Sequence, residues 1–368
     1  MAIILYILFF YSSMISANEI TGNNIYYFPP GPNLVSFNIL PDDASINNIF
    51  SNINNNLVSI ISEGEISHQV NNQWVGSLNS IEYNKGYWII TSAVTVLDVQ
   101  GNAEPSPTYV LYPGANLISY PHHASQTIED AMPFYMYNNL HAIIGQNSAA
   151  LLHEGEVFGT LSHFEPNKGY WFLMNELTPF EYNMPIEAHE ENTSYRDYDD
   201  FDITYNQSTM QSAFFIKEAY YNGQILNNND NILIYCNDIN VGGRHWSGIM
   251  TDVIAMGNDG YIGTENYCED MQNISILIDN ENRTSTMHII GNNNWTNNQV
   301  SIISISNIPL GDINFNDTIN VTDIIIIIDH IIENNIIAND HKLFLADINS
   351  DNTINITDII LLIDLIIE

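Results

Sequence analysis

Asp312-Ile313-Asn314-Phe315-Asn316-Asp317-Thr318-Ile319-Asn320-Val321-Thr322-Asp323 runs into a nearly unbroken isoleucine stretch. The same pattern returns 35 residues later as Asp347-Ile348-Asn349-Ser350-Asp351-Asn352-Thr353-Ile354-Asn355-Ile356-Thr357-Asp358. An EF-hand-type loop wraps a hard cation such as Ca²⁺ with oxygen ligands at positions 1, 3 and 5, a backbone carbonyl at 7 and a carboxylate at 12. Those positions fall on Asp312, Asn314, Asn316, Thr318 and Asp323, then on Asp347, Asn349, Asp351, Thr353 and Asp358. Position 6 is usually Gly, for a sharp turn. Here it is Asp317 or Asn352, residue types that tolerate a left-handed backbone better than most. Asn and Asp also dominate ordinary turns and helix N-caps. Two copies in register, each followed by Thr-Asp and an Ile/Leu helix, point past that to one calcium site per copy. The first loop has Asn316 where the second has Asp351, so it is expected to bind calcium more weakly, because ligand charge helps set affinity.

This duplicated loop and helix resembles the type I dockerin, and the resemblance covers roughly residues 309–368. It implies docking onto a cohesin-like domain, which attaches secreted proteins to a scaffold or cell surface. It also implies partner contact through loop positions 10 and 11 and the following helix: Val321, Thr322 and Ile328 in the first copy, Ile356, Thr357 and Ile363 in the second. The basic pair usual in that helix is replaced by Ile328-Asp329 and Ile363-Asp364, so the partner is expected to differ in charge from a familiar cohesin. A helix packed on one side needs an apolar stripe about 100° wide. These helices are apolar around more of their circumference, so one face is expected to pack on the other copy and another to await a partner. Asp329, Glu333 and Asp364 interrupt the runs, and a membrane span is not predicted.

At 368 residues, several domains are expected. Seven Lys and Arg stand against 43 Asp and Glu, a formal net charge of −36 that comes from a shortage of basic residues. That balance argues against nucleic acid, whose phosphates need basic partners, and against anionic lipid surfaces. It suits a salty, calcium-containing exterior, where ions screen self-repulsion. Residues 2–11 form an apolar stretch followed by Ile15-Ser16-Ala17, so residues 1–17 are expected to be a cleaved secretory signal, leaving no transmembrane anchor and an extracellular or cell-surface protein. Cys236 and Cys268 are the only cysteines. Pairing in an oxidising compartment and two buried free thiols are both open readings.

The front half holds a second repeat. Gly31-Pro32-Asn33-Leu34-Val35-Ser36-Phe37 returns as Gly114-Ala115-Asn116-Leu117-Ile118-Ser119-Tyr120, and Asn84-Lys85-Gly86-Tyr87-Trp88 returns as Asn167-Lys168-Gly169-Tyr170-Trp171, both 83 residues on. Each unit is read as a small sheet with one helix against it: strands at 34–37, 57–62, 73–78 and 87–91, and a helix at 45–53. The Gly-Tyr-Trp aromatics suit ligand stacking, although a turn glycine followed by core-filling strand aromatics is the commoner use. The repeats resemble a Gly-x-Asn-Leu-x-Ser to Gly-Tyr-Trp module of secreted bacterial proteins, which implies extracellular placement and no particular activity.

Residues 185–200 read as an acidic linker. From 201 to 308, strands expected at 201–205, 213–221, 231–236, 253–256, 275–279, 286–290 and 299–305 favour a β-sandwich. Three segments of this region, 206–211, 241–246 and 256–260, resemble a β-sandwich module that accompanies the same repeats. Arg244 suits either a carboxylate clamp or a structural ion pair, the latter favoured. The chain lacks His-Glu-x-x-His, Gly-x-Ser-x-Gly and a phosphate-binding glycine loop.

The expected fold is therefore mainly β and multidomain: repeat domains at 18–100 and 101–184, a β-sandwich at 201–308 and an α-helical calcium-loop module at 309–368. The expected function is non-catalytic and scaffold-associated, with calcium in two sites as cofactor, a cohesin-like partner, and adhesion or ligand binding, extracellular polysaccharide included, by the β domains. A secreted hydrolase on the same anchor, and calcium loops that only stabilise their own chain, are the alternatives.

Overall fold

A computed structural model describes residues 21–71, 73–104, 106–185, 205–228, 230–280 and 283–367. The expected signal at 1–17, the linker at 185–200 except its first residue, and the strand expected at 201–205 except its last residue lie outside the described residues. The protein is mostly β, with its longer helices gathered at the C-terminus.

Each repeat is built on a five-stranded antiparallel sheet. In the first the order is Gly31–Ser36, Gly86–Thr91, Leu57–Ser62, Glu65–Val70, Gln73–Gly76. The second repeats it as Gly114–Ser119, Gly169–Met174, Leu140–Ile144, Ala149–His153, Glu156–Phe158. A further strand pair closes each core, Thr21–Phe28 with Thr95–Ala103 and Tyr109–Leu111 with Thr178–Phe180. The helix expected over 45–53 is a single turn, Ile46–Ile49, capped by the Ser45 side chain on Asn48 N–H. Its counterpart Ile128–Ala131 stops before Pro133, which leads a 3₁₀ turn instead of continuing the helix. The Gly-Tyr-Trp aromatics fill the interior: Tyr87 is 0% and Trp88 1% exposed.

The two repeats meet reciprocally through the residues they share. Ser36 N–H donates to Asn167 O (3.0 Å), and its equivalent Ser119 N–H donates to Asn84 O (3.4 Å). Leu34 N–H donates to Gln146 Oε1 (3.0 Å), and Leu117 N–H to Glu63 Oε2 (2.9 Å). Leu34, Leu117, Trp88 and Trp171 pack between them. This is an isologous contact in which each patch meets its own copy, made within one chain. It explains why the Gly-x-Asn-Leu-x-Ser and Asn-Lys-Gly-Tyr-Trp segments recur together.

Residues 211–306 form a half-barrel. The strand order is Gln224–Ile225, Gln211–Tyr221, Val300–Ser306, Arg283–Gly291, Ser275–Asn280, Asn231–Cys236, Ile239–His245, with Thr251–Met256 on the same edge of Gln211–Tyr221 as Gln224–Ile225. Arg283–Gly291 joins the two halves, pairing first with Ser275–Asn280 and then with Val300–Ser306. Cys236 and Cys268 are joined in a disulfide inside this unit. Its core continues into the second repeat, where Ala142, Ala149 and Leu151 pack with Phe214, Phe215 and Ile254. Asp252, fully buried, accepts Ala149 N–H (2.9 Å), Thr160 N–H (2.8 Å) and the Thr160 hydroxyl (3.0 Å), and lies 3.9 Å from Arg244. Arg244 also donates to Asn147 O of the repeat. It is a structural ion pair tying two units together.

Candidate functional site

The C-terminal module consists of two loop-and-helix copies with a bridging helix between them. The loop helices are Val321–Ile331 and Ile356–Ile367, and the bridge is Asp340–Ala346. The bridge was not read from the sequence, although Asn339 as N-cap and Asp340 in the first turn signal its start. Ile327 and Leu362, equivalent residues of the two copies, are fully buried where the helices pack together.

Both loops fold through the same hydrogen bonds. Asp312 accepts from Asn316 N–H (3.1 Å) and Asp317 N–H (2.7 Å), as Asp347 does from Asp351 N–H (3.1 Å) and Asn352 N–H (2.8 Å). Asp323 accepts from Ile313, Asn314 and Asn320 N–H at 3.0, 3.2 and 3.0 Å. Asp358 accepts from Ile348, Asn349 and Asn355 N–H at 2.8, 3.4 and 2.8 Å. The turn without glycine is made at Asp317 (φ 60°) and Asn352 (φ 63°), both left-handed, and position 4 is left-handed too at Phe315 (φ 63°) and Ser350 (φ 56°). Asn320 completes a capping box with Asp323.

The electrostatics of these loops are unbalanced. Asp312, Asp323 and Asp358 are each 0% exposed. Lys342 is the only Lys or Arg after residue 308, and it lies over the Phe315 ring, 4.9 Å from its centroid. The ion pairs found among the described residues are Lys85 with Glu65 and Glu82, and Arg244 with Asp252; none reaches a loop. Buried carboxylates are ordinarily paired with a cation or ligated to a metal. Both amide atoms of Asn314, at loop position 3, are also buried without a hydrogen-bond partner, a costly arrangement for a polar group. Both oxygens of Asp312 and Asp347, and Oδ2 of Asp323 and Asp358, accept one N–H each and keep a second lone pair, so the donor set fits a hard cation. No group of three or more His, Cys, Asp or Glu side chains converges as a metal site among the described residues. The loops offer amide and backbone oxygens beside their carboxylates instead.

The six residues expected to meet a partner all lie at the surface. Val321 is 61% and Ile356 68% exposed, Ile328 and Ile363 are exposed in the same way, and so are Thr322 and Thr357. Ile325, Ile332, Ile360 and Ile367 add to an apolar face that nothing in this chain covers among the described residues. No described helix is long and apolar enough to cross a membrane.

No curated protein and no solved structure matches the chain. Residues 310–367 do match a family model, that of the dockerin type I domain, the family to which the duplicated loop and helix are similar in sequence.

Proposed function

We propose that the C-terminal module holds calcium in both loops and docks the protein onto a cohesin-type domain. In the first loop the ligands are the side chains of Asp312, Asn314, Asn316 and Asp323 with the Thr318 carbonyl. In the second they are Asp347, Asn349, Asp351 and Asp358 with the Thr353 carbonyl. When bound, calcium supplies the positive charge that three buried carboxylates lack in this chain, and that imbalance carries the reading. The chain's own groups shape the loops, since Asp323 and Asp358 tie the start of each loop to the first turn of its helix. Val321, Thr322, Ile328, Ile356, Thr357 and Ile363 then face the partner from ordered helices. The repeats and half-barrel are carried as a non-catalytic unit for adhesion or ligand binding at an extracellular scaffold or surface.

Calorimetric titration of the full chain tests the metal half of this reading. Two uptake events are expected, the weaker at the first loop. Asn316→Asp should tighten the weaker event by about tenfold, because an added ligand charge raises affinity. Absence of any uptake would remove the basis for calcium here. A second reading, loops that only stabilise this chain, is supported by the bridging helix, whose His341 accepts Gly223 N–H of the half-barrel (2.9 Å), and partner capture separates the two.

A further inference from the structure

The strands Gln211–Tyr221 and Gln224–Ile225 are joined by a tight hairpin turn at Asn222 (φ 46°) and Gly223 (φ 85°), both left-handed as a two-residue Asn-Gly hairpin requires. The C-terminal module grips this turn from both sides of one residue. His341, fully buried on the bridging helix, accepts Gly223 N–H at Nδ1 (2.9 Å), and Asn339 Nδ2 donates to Gly223 O (3.0 Å). The other imidazole nitrogen, Nε2, lies 2.8 Å from Ser306 Oγ. The Ser306 hydroxyl proton is given to Ile308 O, so Nε2–H is the donor and the ring is neutral. Tyr220 stacks on the imidazole at 4.8 Å with planes 6° apart.

Another ring neighbour of His341 comes from loop position 4. The Phe315 ring lies 5.1 Å from the imidazole, and a Cβ added to Gly223 would lie 3.4 Å from that ring. Phe315 has a left-handed backbone set between two residues of the first loop's ligand set, Asn314 and Asn316. Its equivalent in the second copy, Ser350, is exposed, so the second loop has no such contact. The first loop therefore reaches the hairpin through the Phe315 ring, whereas the second meets the half-barrel through charge: burial pushes the pKa of Glu218 up, and Asp347 adds to the rise.

We propose that the half-barrel hairpin and the first calcium loop are one coupled unit, with Phe315 and His341 as positioning residues between them. Ordering the first loop around its cation fixes Phe315, which seats His341 against Gly223. By linkage, a seated hairpin raises the calcium affinity of that loop by the same factor. The second loop has Ser350 in place of that ring, so it has no such coupling through the hairpin. This rests on the reading that the loops take calcium, and deepens it by making one site sense the state of the neighbouring domain.

The test is hydrogen exchange of the full chain, read at the peptide spanning residues 218–226, with calcium chloride and with chelator, beside calorimetry on the same samples. Exchange at the hairpin should slow about tenfold with calcium, in the ordinary range for coupled sites. In Phe315→Ser, which copies the second loop, calorimetry should still show uptake while the hairpin no longer responds. Asn339→Asp serves if Phe315→Ser misfolds: it keeps a helix cap but loses the donor to Gly223 O, and the calcium response should shrink. Hairpin exchange indifferent to calcium, with uptake confirmed, would overturn the coupling and leave the calcium reading intact. No uptake at all would overturn both.

Discussion

Asp323→Ala is expected to abolish calcium uptake in the first loop and to melt its helix. The carboxylate is fully buried and accepts three backbone N–H groups, those of Ile313, Asn314 and Asn320. Alanine leaves all three without acceptors where water does not reach easily, at a cost of about 1–3 kcal/mol for each unsatisfied group. The capping box is lost at the same time. The module's core is small, with Ile308, Ile313, Ile327, Ile337, Leu345, Ala346 and Leu362 as its buried apolar residues, and it has little reserve against such a loss. Asp358→Ala should act in the same way on the second copy through Ile348, Asn349 and Asn355. Far-ultraviolet circular dichroism and calorimetry on the full chain would show it, as helix signal lost and one uptake event missing for each variant. Full helicity with both events intact would mean that these carboxylates are not the keystones of the loops.

Asp252→Ala should destabilise the body of the protein by about 3–5 kcal/mol, the range for breaking one partner of a buried charged pair. The substitution strands Arg244, whose side chain is 13% exposed, together with the N–H groups of Ala149 and Thr160. Those donors lie in the second repeat and the acceptor lies in the half-barrel, so the effect falls on the junction between them. All five tryptophans precede the C-terminal module, so tryptophan fluorescence during urea unfolding reports the body alone. The midpoint should fall sharply and the transition should broaden or split as the repeat and half-barrel uncouple. Lys85→Ala is the control. Its partners Glu65 and Glu82 lie at a half-exposed surface, where such pairs contribute about 0–1 kcal/mol. Equal shifts for the two variants would contradict the role given to Asp252.

Both periodicities of this chain were legible because duplication makes spacing visible. The 35-residue and 83-residue offsets separate shared pattern from chance, and the loop residues from Asp312 to Asp358 stand out on that basis. The strand Glu65–Val70 escaped because its one fully inward residue is Ser67, which removes the alternation of apolar residues that marks a strand. Ile239–His245 escaped because Gly242-Gly243 reads as a turn. Gly242 is instead a close-approach residue, since a Cβ there would lie 2.2 Å from Ile254 O. The reciprocal contact of the repeats was out of reach for another reason. Leu34 N–H meeting Gln146 joins residues more than a hundred positions apart, and neither carries a local signature of an interface. His341 is the same case: a histidine between Asp340 and Lys342 in the first turn of a short helix gives no hint that its two nitrogens bridge Gly223 and Ser306.

Capture on an immobilised type I cohesin domain, with the full chain in calcium chloride and again in chelator, tests the central claim most directly. The account predicts retention in calcium, release on chelation, and loss of retention when Val321 and Ile356 are both replaced by Asp while calorimetry still shows calcium bound. A panel of cohesins is needed, because Asp329 and Asp364 stand where that family usually carries basic residues. Retention that is indifferent to chelator, or a calcium-loaded chain that no cohesin of the panel retains, would contradict it.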